Sequence, residues 1–480
     1  MNLITKVLLL SLLFVHNIFA KHVVIVTVCS SHFFLTESIT RGLVARNHKV
    51  TYILSGECKD RVEKVGAKLY KTNKWNIITN PNDNLAGYIR ENNEASSEQL
   101  LELVHDKSIT KPDIIMADIF LLGLAAIPEK YGIPYVHMYF GMVDFPGIYN
   151  KRTSLKIFLD IDDNQSIIHR YISDSAFNFF TNLFFSEIFT CGNALRNKIG
   201  LSDSFTSLSH IANSYPSLLM LSSTFQISFT GENVYPLGVI NEKYDLPALP
   251  EDIQTFIDQS NKDILYIAFG STMVPSENIQ RALMQYLSEQ TTFNVIYARF
   301  PDIGLEIPRH VLTAKYIPQR TLLHHPKVKI FISHCGLNSV SEAIVAETVL
   351  ICLPLGRDQY ASANGVVGAG VAGIIKDGNS KESILSAVET TWNNYKALYE
   401  TLRREKQNLY NIDGISQIEH LMEKYAGKST RIHISDPYNY GHVLFNTIFL
   451  GSIASFIIFT IYFVLKFAKN IISPKKEKLN

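Results

Sequence analysis

The stretch "KIFISHCGLNSVSEA", residues 329–343, puts a histidine, a glycine, an asparagine, a serine and a glutamate where a strand-type run gives way to a helix-type one. Such a junction suits an anion, because the first N–H groups of a helix lack partners within it. Gly336 here and Gly270 in "FGSTM" let backbone approach a phosphate closely, while Ser271, Asn338 and Ser339 can donate to its oxygens. Glu342, one turn on, can accept both hydrogen bonds of a ribose diol. Asp358 and Gln359, beyond the strand-type run "TVLICLPL", can do the same for a sugar. Upstream, "KYIPQRTLLHHP" supplies Gln319 and an aromatic, Tyr316, able to stack on a base. Plainer roles exist for each: Tyr316 in packing, His334 in the scaffold, Glu342 as a solvated carboxylate favoured by the helix dipole.

Positioning these residues takes strands that end together. The runs "DILYIAFGS" (263–271), "TFNVIYARF" (292–300), "KVKIFISH" (327–334) and "TVLICLPL" (348–355) are separated by helix-length segments. The first half carries "HVVIVTV" (22–28), a helical stretch from about Leu35, then "KVTYILS" (49–55), "PDIIMAD" (112–118), "PYVHMYF" (134–140) and "SLLMLSS" (217–223). Alternating strands and helices predict an α/β protein with parallel sheets covered on both faces. At 480 residues the chain exceeds one ordinary core. The Pro-containing segment "YDLPALPED" (244–252) divides it into two Rossmann-like domains, 21–240 and 241–440, facing a cleft.

Both ends read differently. Residues 1–20 have a lone Lys6, a short apolar stretch and Ala20 at a cleavage-type position, which predicts a signal peptide. Residues 441–466 predict one C-terminal transmembrane helix, since 443–465 is uncharged and long enough to cross a bilayer. The basic tail 467–480 then lies in the cytosol and the body across the membrane, a single-pass type I arrangement. The terminal "KEKLN" resembles a dilysine retrieval signal, so the endoplasmic reticulum membrane is the expected location.

With 45 basic and 44 acidic residues, nothing in the charge balance points to nucleic acid. The five cysteines form no disulfide framework and lack metal-ligand spacing, so buried thiols are expected. Asn164-Gln165-Ser166 is a sequon open to glycosylation. A homo-oligomer is compatible with the chain.

The long run "YIPQRTLLHHPKVKIFISHCGLNSVSEAIVAETVLICLPLGRDQ" (316–359) closely resembles the signature of UDP-glycosyltransferases, in particular the membrane-bound UDP-glucuronosyltransferase type. The likeness extends over the mature chain and is weakest over 145–215, where the acceptor pocket is expected. It implies the GT-B glycosyltransferase fold, with the UDP-sugar donor held by the second domain and a small lipophilic acceptor by the first. By that resemblance Tyr316 and Gln319 serve the uracil, Ser271, His334, Asn338 and Ser339 the diphosphate, Glu342 the ribose, and Asp358 and Gln359 the transferred sugar.

His32, in "SSH", stands where the family's catalytic histidine does, and Asp118 where its aspartate does. An imidazole near its ordinary pKa suits removal of a hydroxyl proton. The resemblance therefore implies a His32–Asp118 dyad and direct, inverting transfer with no metal and no cofactor besides the UDP-sugar co-substrate. A histidine at a strand end also serves packing, and Asp118 can cap a helix.

Three departures stand out. Glu347-Thr348-Val349 replaces the usual Gly-x-Pro turn, Tyr316 stands for tryptophan, and Arg357 occupies a position usually small and neutral. The donor sugar is expected to be glucuronic acid, because a guanidinium beside Asp358 suits a hexuronate carboxylate. Two alternatives stay open: a UDP-glucose-dependent sterol or lipid glucosyltransferase, and a catalytically silent UDP-sugar-binding membrane protein.

Overall fold

The computed structural model describes residues 20–28, 31–55, 58–70, 84–139, 186–206, 210–211, 214–220, 233–238, 246–270, 273–299, 304, 306–356 and 359–432, with isolated positions between 448 and 462. Among the described residues thirteen strands form two sheets. The first holds β1 (His22–Val28), β2 (Lys49–Ser55), β3 (Lys68–Leu69), β4 (Ile114–Asp118), β5 (Tyr135–Tyr139), β6 (Ser217–Met220) and β7 (Val234–Gly238) in the order 3-2-1-4-5-6-7. The second holds β8 (Ile264–Ala268), β9 (Asn294–Ala298), β10 (Val311–Ala314), β11 (Val328–Ser333), β12 (Val349–Cys352) and β13 (Ala372–Ile374) in the order 10-9-8-11-12-13. The paired strands are parallel.

The strand pattern explains the layers. In β1, Val23 and Ile25 join one apolar cluster while Val24, Val26 and Val28 join another. In β8, Ile264 and Tyr266 face one way and Leu265 and Ile267 the other. Successive side chains point to opposite faces, so a sheet covered on both sides needs an unbroken apolar run.

Four helices matter to the site: α1 (Ser31–Ala45), α2 (Leu337–Ala346), α3 (Tyr395–Tyr410) and α4 (Gly414–Lys424). Helix α1 begins earlier than the sequence pattern suggested, so His32 lies in its first turn instead of at the strand end. After α3 the chain returns to the first sheet. Gly414 packs against Leu237 so closely that a Cβ would lie 2.4 Å from its carbonyl oxygen. Arg46 binds Asp413 and Glu419 in α4 and its cap at 2.8 and 2.6 Å. Thr430 exchanges hydrogen bonds with the Tyr135 backbone. Arg431 joins buried Arg196 on Glu129 and Asp203.

The replaced turn after α2 has a compensating anchor. Glu347 takes the left-handed conformation that glycine adopts freely, with φ of 59°. Its carboxylate binds Lys406 Nζ at 2.9 Å and Tyr399 Oη at 3.0 Å, both on α3. Burial raises its pKa, but these partners more than offset that, and the carboxyl sits below its ordinary value. The turn is therefore pinned from outside.

The expected membrane span is corrected. Among the described residues no helix is long and apolar enough to cross a membrane. Crossing takes about 20 consecutive apolar helical residues. Within 443–465 the described helical positions are isolated, with Ser452 Oγ bonded to the Ile448 carbonyl, and the rest lies outside the described residues. The membrane-bound type, the bilayer as a partner, the type I topology and the endoplasmic reticulum location rested on that span and fall with it. The signal-peptide reading loses the same support, and residues 1–19 lie outside the described residues, as does Asn164.

Candidate active site

Each sheet reverses its winding once, and His32, Asp118, Gly270 and His334 lie beside those points. In the first sheet β2 and β3 lie on one side of β1, and β4 to β7 on the other. The crevice beyond the ends of β1 and β4 is where doubly wound sheets bind ligands. His32 follows one strand and Asp118 ends the other. His32 Nδ1 lies 2.8 Å from Asp118 Oδ2.

Asp118 is fully buried, whereas the His32 side chain is 19% exposed. The same Oδ2 accepts from Thr27 Oγ1 at 3.0 Å, and Oδ1 accepts from the Phe120 N–H at 3.0 Å. Asp118 thus caps the short helix Ile119–Ala125 and contacts the imidazole at once. Phe120 stacks on the His32 ring with centroids 5.2 Å apart. With Nδ1–H donated to the carboxylate, the lone pair of a neutral ring is on Nε2. Thr27 and Phe120 escaped sequence reasoning, although Phe120 is the second residue after the capping aspartate.

In the second sheet the reversal falls between β8 and β11. Gly270 and His334 flank it, and β12 is the next strand. The His334 ring is packed between two glycines: a Cβ at Gly336 would lie 2.6 Å from its Nε2, and one at Gly270 2.9 Å away. Burial lowers its pKa to about 4, so His334 is neutral near pH 7. It can offer a hydrogen bond to a phosphate but no charge.

Gln319, Ser339 and Glu342 meet as a group. The Gln319 amide nitrogen lies 2.7 Å from Glu342 Oε2 and 3.4 Å from Ser339 Oγ. Its carbonyl accepts from Tyr266 Oη at 3.1 Å. Arg320, a residue the sequence reading passed over, binds Glu342 Oε1 through Nε at 3.0 Å. Its position next to Gln319 was the available signal. Tyr316 is 77% exposed, its ring accessible to a planar base. Asn338 lies in the first turn of α2. Gln359 is buried and its carbonyl accepts the Leu355 N–H at 2.9 Å. Ser271, Arg357 and Asp358 lie outside the described residues.

The buried-thiol expectation is also corrected. Cys335 and Cys352 form a disulfide with Cα atoms 5.4 Å apart, and Cys58 is disulfide-bonded too. The parallel register sets Ser333 beside Cys352, and the turn at Cys335 brings its sulfur back over that strand. Cys191 is free.

Buried histidines give the molecule a pH signature. Burial lowers the pKa of His22, of His137 (to about 3) and of His334 (to about 4), each from 6.5. Below pH 6.5 the unfolded chain takes up these protons first, so stability falls as pH falls toward the folded values. Each group contributes up to about 1.4 kcal/mol per pH unit. Thermal unfolding between pH 7 and 5, above the carboxylate range, should show a falling midpoint. A flat midpoint would contradict neutral burial of these rings.

Two doubly wound parallel sheets flanked by helices make up a GT-B-like fold. The comparisons agree. The glycosyltransferase of kitacinnamycin superposes with a TM-score of 0.66 at 17% identity, covering 85% of this chain and 99% of that one. A UDP-glucosyltransferase from Polygonum tinctorium superposes with a TM-score of 0.60 at 16% identity, covering 84% and 99%. In sequence, UDP-glycosyltransferase UGT4 of Dactylopius coccus is 24% identical over 96% of this chain and 98% of its own.

The chain belongs to the UDP-glucuronosyl and UDP-glucosyl transferase family, whose model matches residues 165–465. It is an enzyme, a UDP-sugar-dependent glycosyltransferase. The finer assignment to a membrane-bound type is not upheld, for want of a spanning helix among the described residues.

Proposed function

We propose that the chain moves a hexosyl group from a UDP-sugar to a hydroxyl of a small lipophilic acceptor by direct displacement, inverting the anomeric carbon. The 2.8 Å contact between His32 and buried Asp118 carries this reading. His32 Nε2 takes the acceptor's hydroxyl proton as the oxygen bonds to the anomeric carbon. The bond from that carbon to the phosphate oxygen breaks, and its electron pair leaves with UDP. Asp118 orients the ring and stabilises the imidazolium that forms.

The donor end follows the same logic. Tyr316 stacks on uracil, with Gln319 beside it. Ser271, His334, Asn338, Ser339 and the N–H groups opening α2 meet the diphosphate, and the helix dipole favours the charge gathering on the leaving group. Glu342 accepts from the ribose diol. A carboxylate has roughly four acceptor positions, and Gln319 and Arg320 use two of them. Asp358 and the amide nitrogen of Gln359 hold the sugar.

Glucuronic acid is the donor sugar we favour, since Arg357 directly precedes Asp358 and can pair with a hexuronate carboxylate. A second reading, glucose, draws on UDP-glucosyltransferase 2 of Dactylopius coccus, 31% identical over 37% of this chain. Purified protein with each UDP-sugar and a mixture of phenols and sterols decides between them through UDP release. Arg357→Ala should lose its preference for UDP-glucuronate and leave UDP-glucose use unchanged. An unaltered donor ratio would dispose of the arginine argument. Product with the donor's own anomeric configuration would rule out single displacement.

A further inference from the structure

The Cys335–Cys352 bond lies inside the proposed donor cradle. Cys335 is fully buried between His334 and Gly336, and Cys352 is the last residue of β12. The backbone at Cys335 is left-handed, with φ of 57°. A residue carrying a Cβ disfavours that region, so something must hold it there. Two contacts do: the Cys335 N–H donates to Ser333 Oγ at 3.1 Å, and its sulfur is bonded to Cys352.

The turn has little slack. The His334 ring fills the space between Gly270 and Gly336, so rotating residue 335 toward negative φ drives Gly336 or the ring out of place. The helix-start N–H groups of α2 follow directly. The bond also ties β11, which leads into the diphosphate and ribose groups, to β12, which leads to the sugar-binding Gln359.

We propose that Cys335–Cys352 is a positioning disulfide for donor binding: it keeps residue 335 left-handed and thereby aims the α2 N–H groups and His334 at the diphosphate. This rests on the donor reading given above. Without the bond the turn relaxes, and affinity for UDP falls on the order of tenfold, the cost of holding a side-chain-bearing residue left-handed. The KM for acceptor stays close to its original value, because the His32–Asp118 pair belongs to the other sheet, while turnover falls as the α2 N–H groups lose their aim at the leaving group.

The test compares Cys352→Ala with the double variant Cys335→Gly/Cys352→Ala. Both lack the cross-link, so both lose its contribution to thermal stability. Glycine, however, accepts the left-handed turn unaided. Calorimetry with UDP should show about tenfold weaker binding by Cys352→Ala and recovery to within about threefold of the original in the double variant. Its melting temperature should stay low. A bond that serves stability alone would instead leave UDP affinity and donor KM unchanged in both variants.

Should Cys352→Ala fail to fold, Cys352→Val, suited to a strand, carries the same comparison. Equal UDP affinity in the single variant and the original overturns the proposal. So does thiol labelling of the denatured, unreduced protein that finds Cys335 and Cys352 free. Absence of UDP binding by the original protein would instead overturn the donor reading itself.

Discussion

Replacing His32 with alanine should reduce turnover by about 100-fold or more at saturating acceptor, the usual contribution of a positioned general base, while UDP affinity is unchanged. The geometry of the pair supports this reading. The Asp118 carboxylate is buried, fixed by Thr27 and the Phe120 N–H, and its contact with Nδ1 leaves the lone pair on Nε2. The first sheet contributes none of the proposed donor contacts, so kcat and UDP binding should separate cleanly. Asp118→Asn offers a companion result. Its amide can still cap through the side-chain oxygen, yet an N–H set against Nδ1 favours the opposite tautomer, so turnover should fall while folding survives. Near-normal turnover in His32→Ala, measured by UDP release, would remove the imidazole from the mechanism.

The second large effect is expected at Glu342. Glu342→Ala should weaken UDP binding by about 1.5–3 kcal/mol, the range for a hydrogen bond to a charged group. Two causes add. The ribose diol loses its charged acceptor, and the Gln319 amide and Arg320 guanidinium lose the carboxylate that orders them. Glu342→Gln should fall between, because it keeps one acceptor oxygen and gives up the charge. Titration calorimetry with UDP measures both. Affinity equal to that of the original protein would refute the ribose assignment. Turnover at saturating donor should change much less than in His32→Ala, which separates a binding group from a base.

The two sites were legible in the chain to different degrees. The junction 329–343 could be read because its polar residues are contiguous: a strand end, a helix start and one helical turn lie within fifteen letters. His32 and Asp118 are 86 positions apart, and only the family resemblance linked them before their side chains were seen in contact. Arg320 was missed for a related reason. An arginine beside a glutamine has no evident role until α2 is packed alongside and Glu342 reaches it. The Cys335–Cys352 bond needed β11 and β12 to be neighbours in register, which no cysteine count reveals.

Strand by strand, the chain alone located the sheet interiors, and tertiary structure decided the edges. β1 and β2 begin and end where their apolar runs do, and β4, β5, β6, β8, β9, β11 and β12 lie within theirs. These strands have a neighbour on each side, and most are covered on both faces, so almost every position must be apolar and the run stands out. The four strands that the pattern did not reveal, β3, β7, β10 and β13, are the outermost strands of the two sheets. They are short, partly exposed and mixed in character, "KL", "VYPLG", "VLTA" and "AGI", with a proline in one. An edge strand is held by one neighbour and bathed on the other side, so its own letters carry little instruction. What places it is the finished strand beside it, and that exists only in the folded sheet.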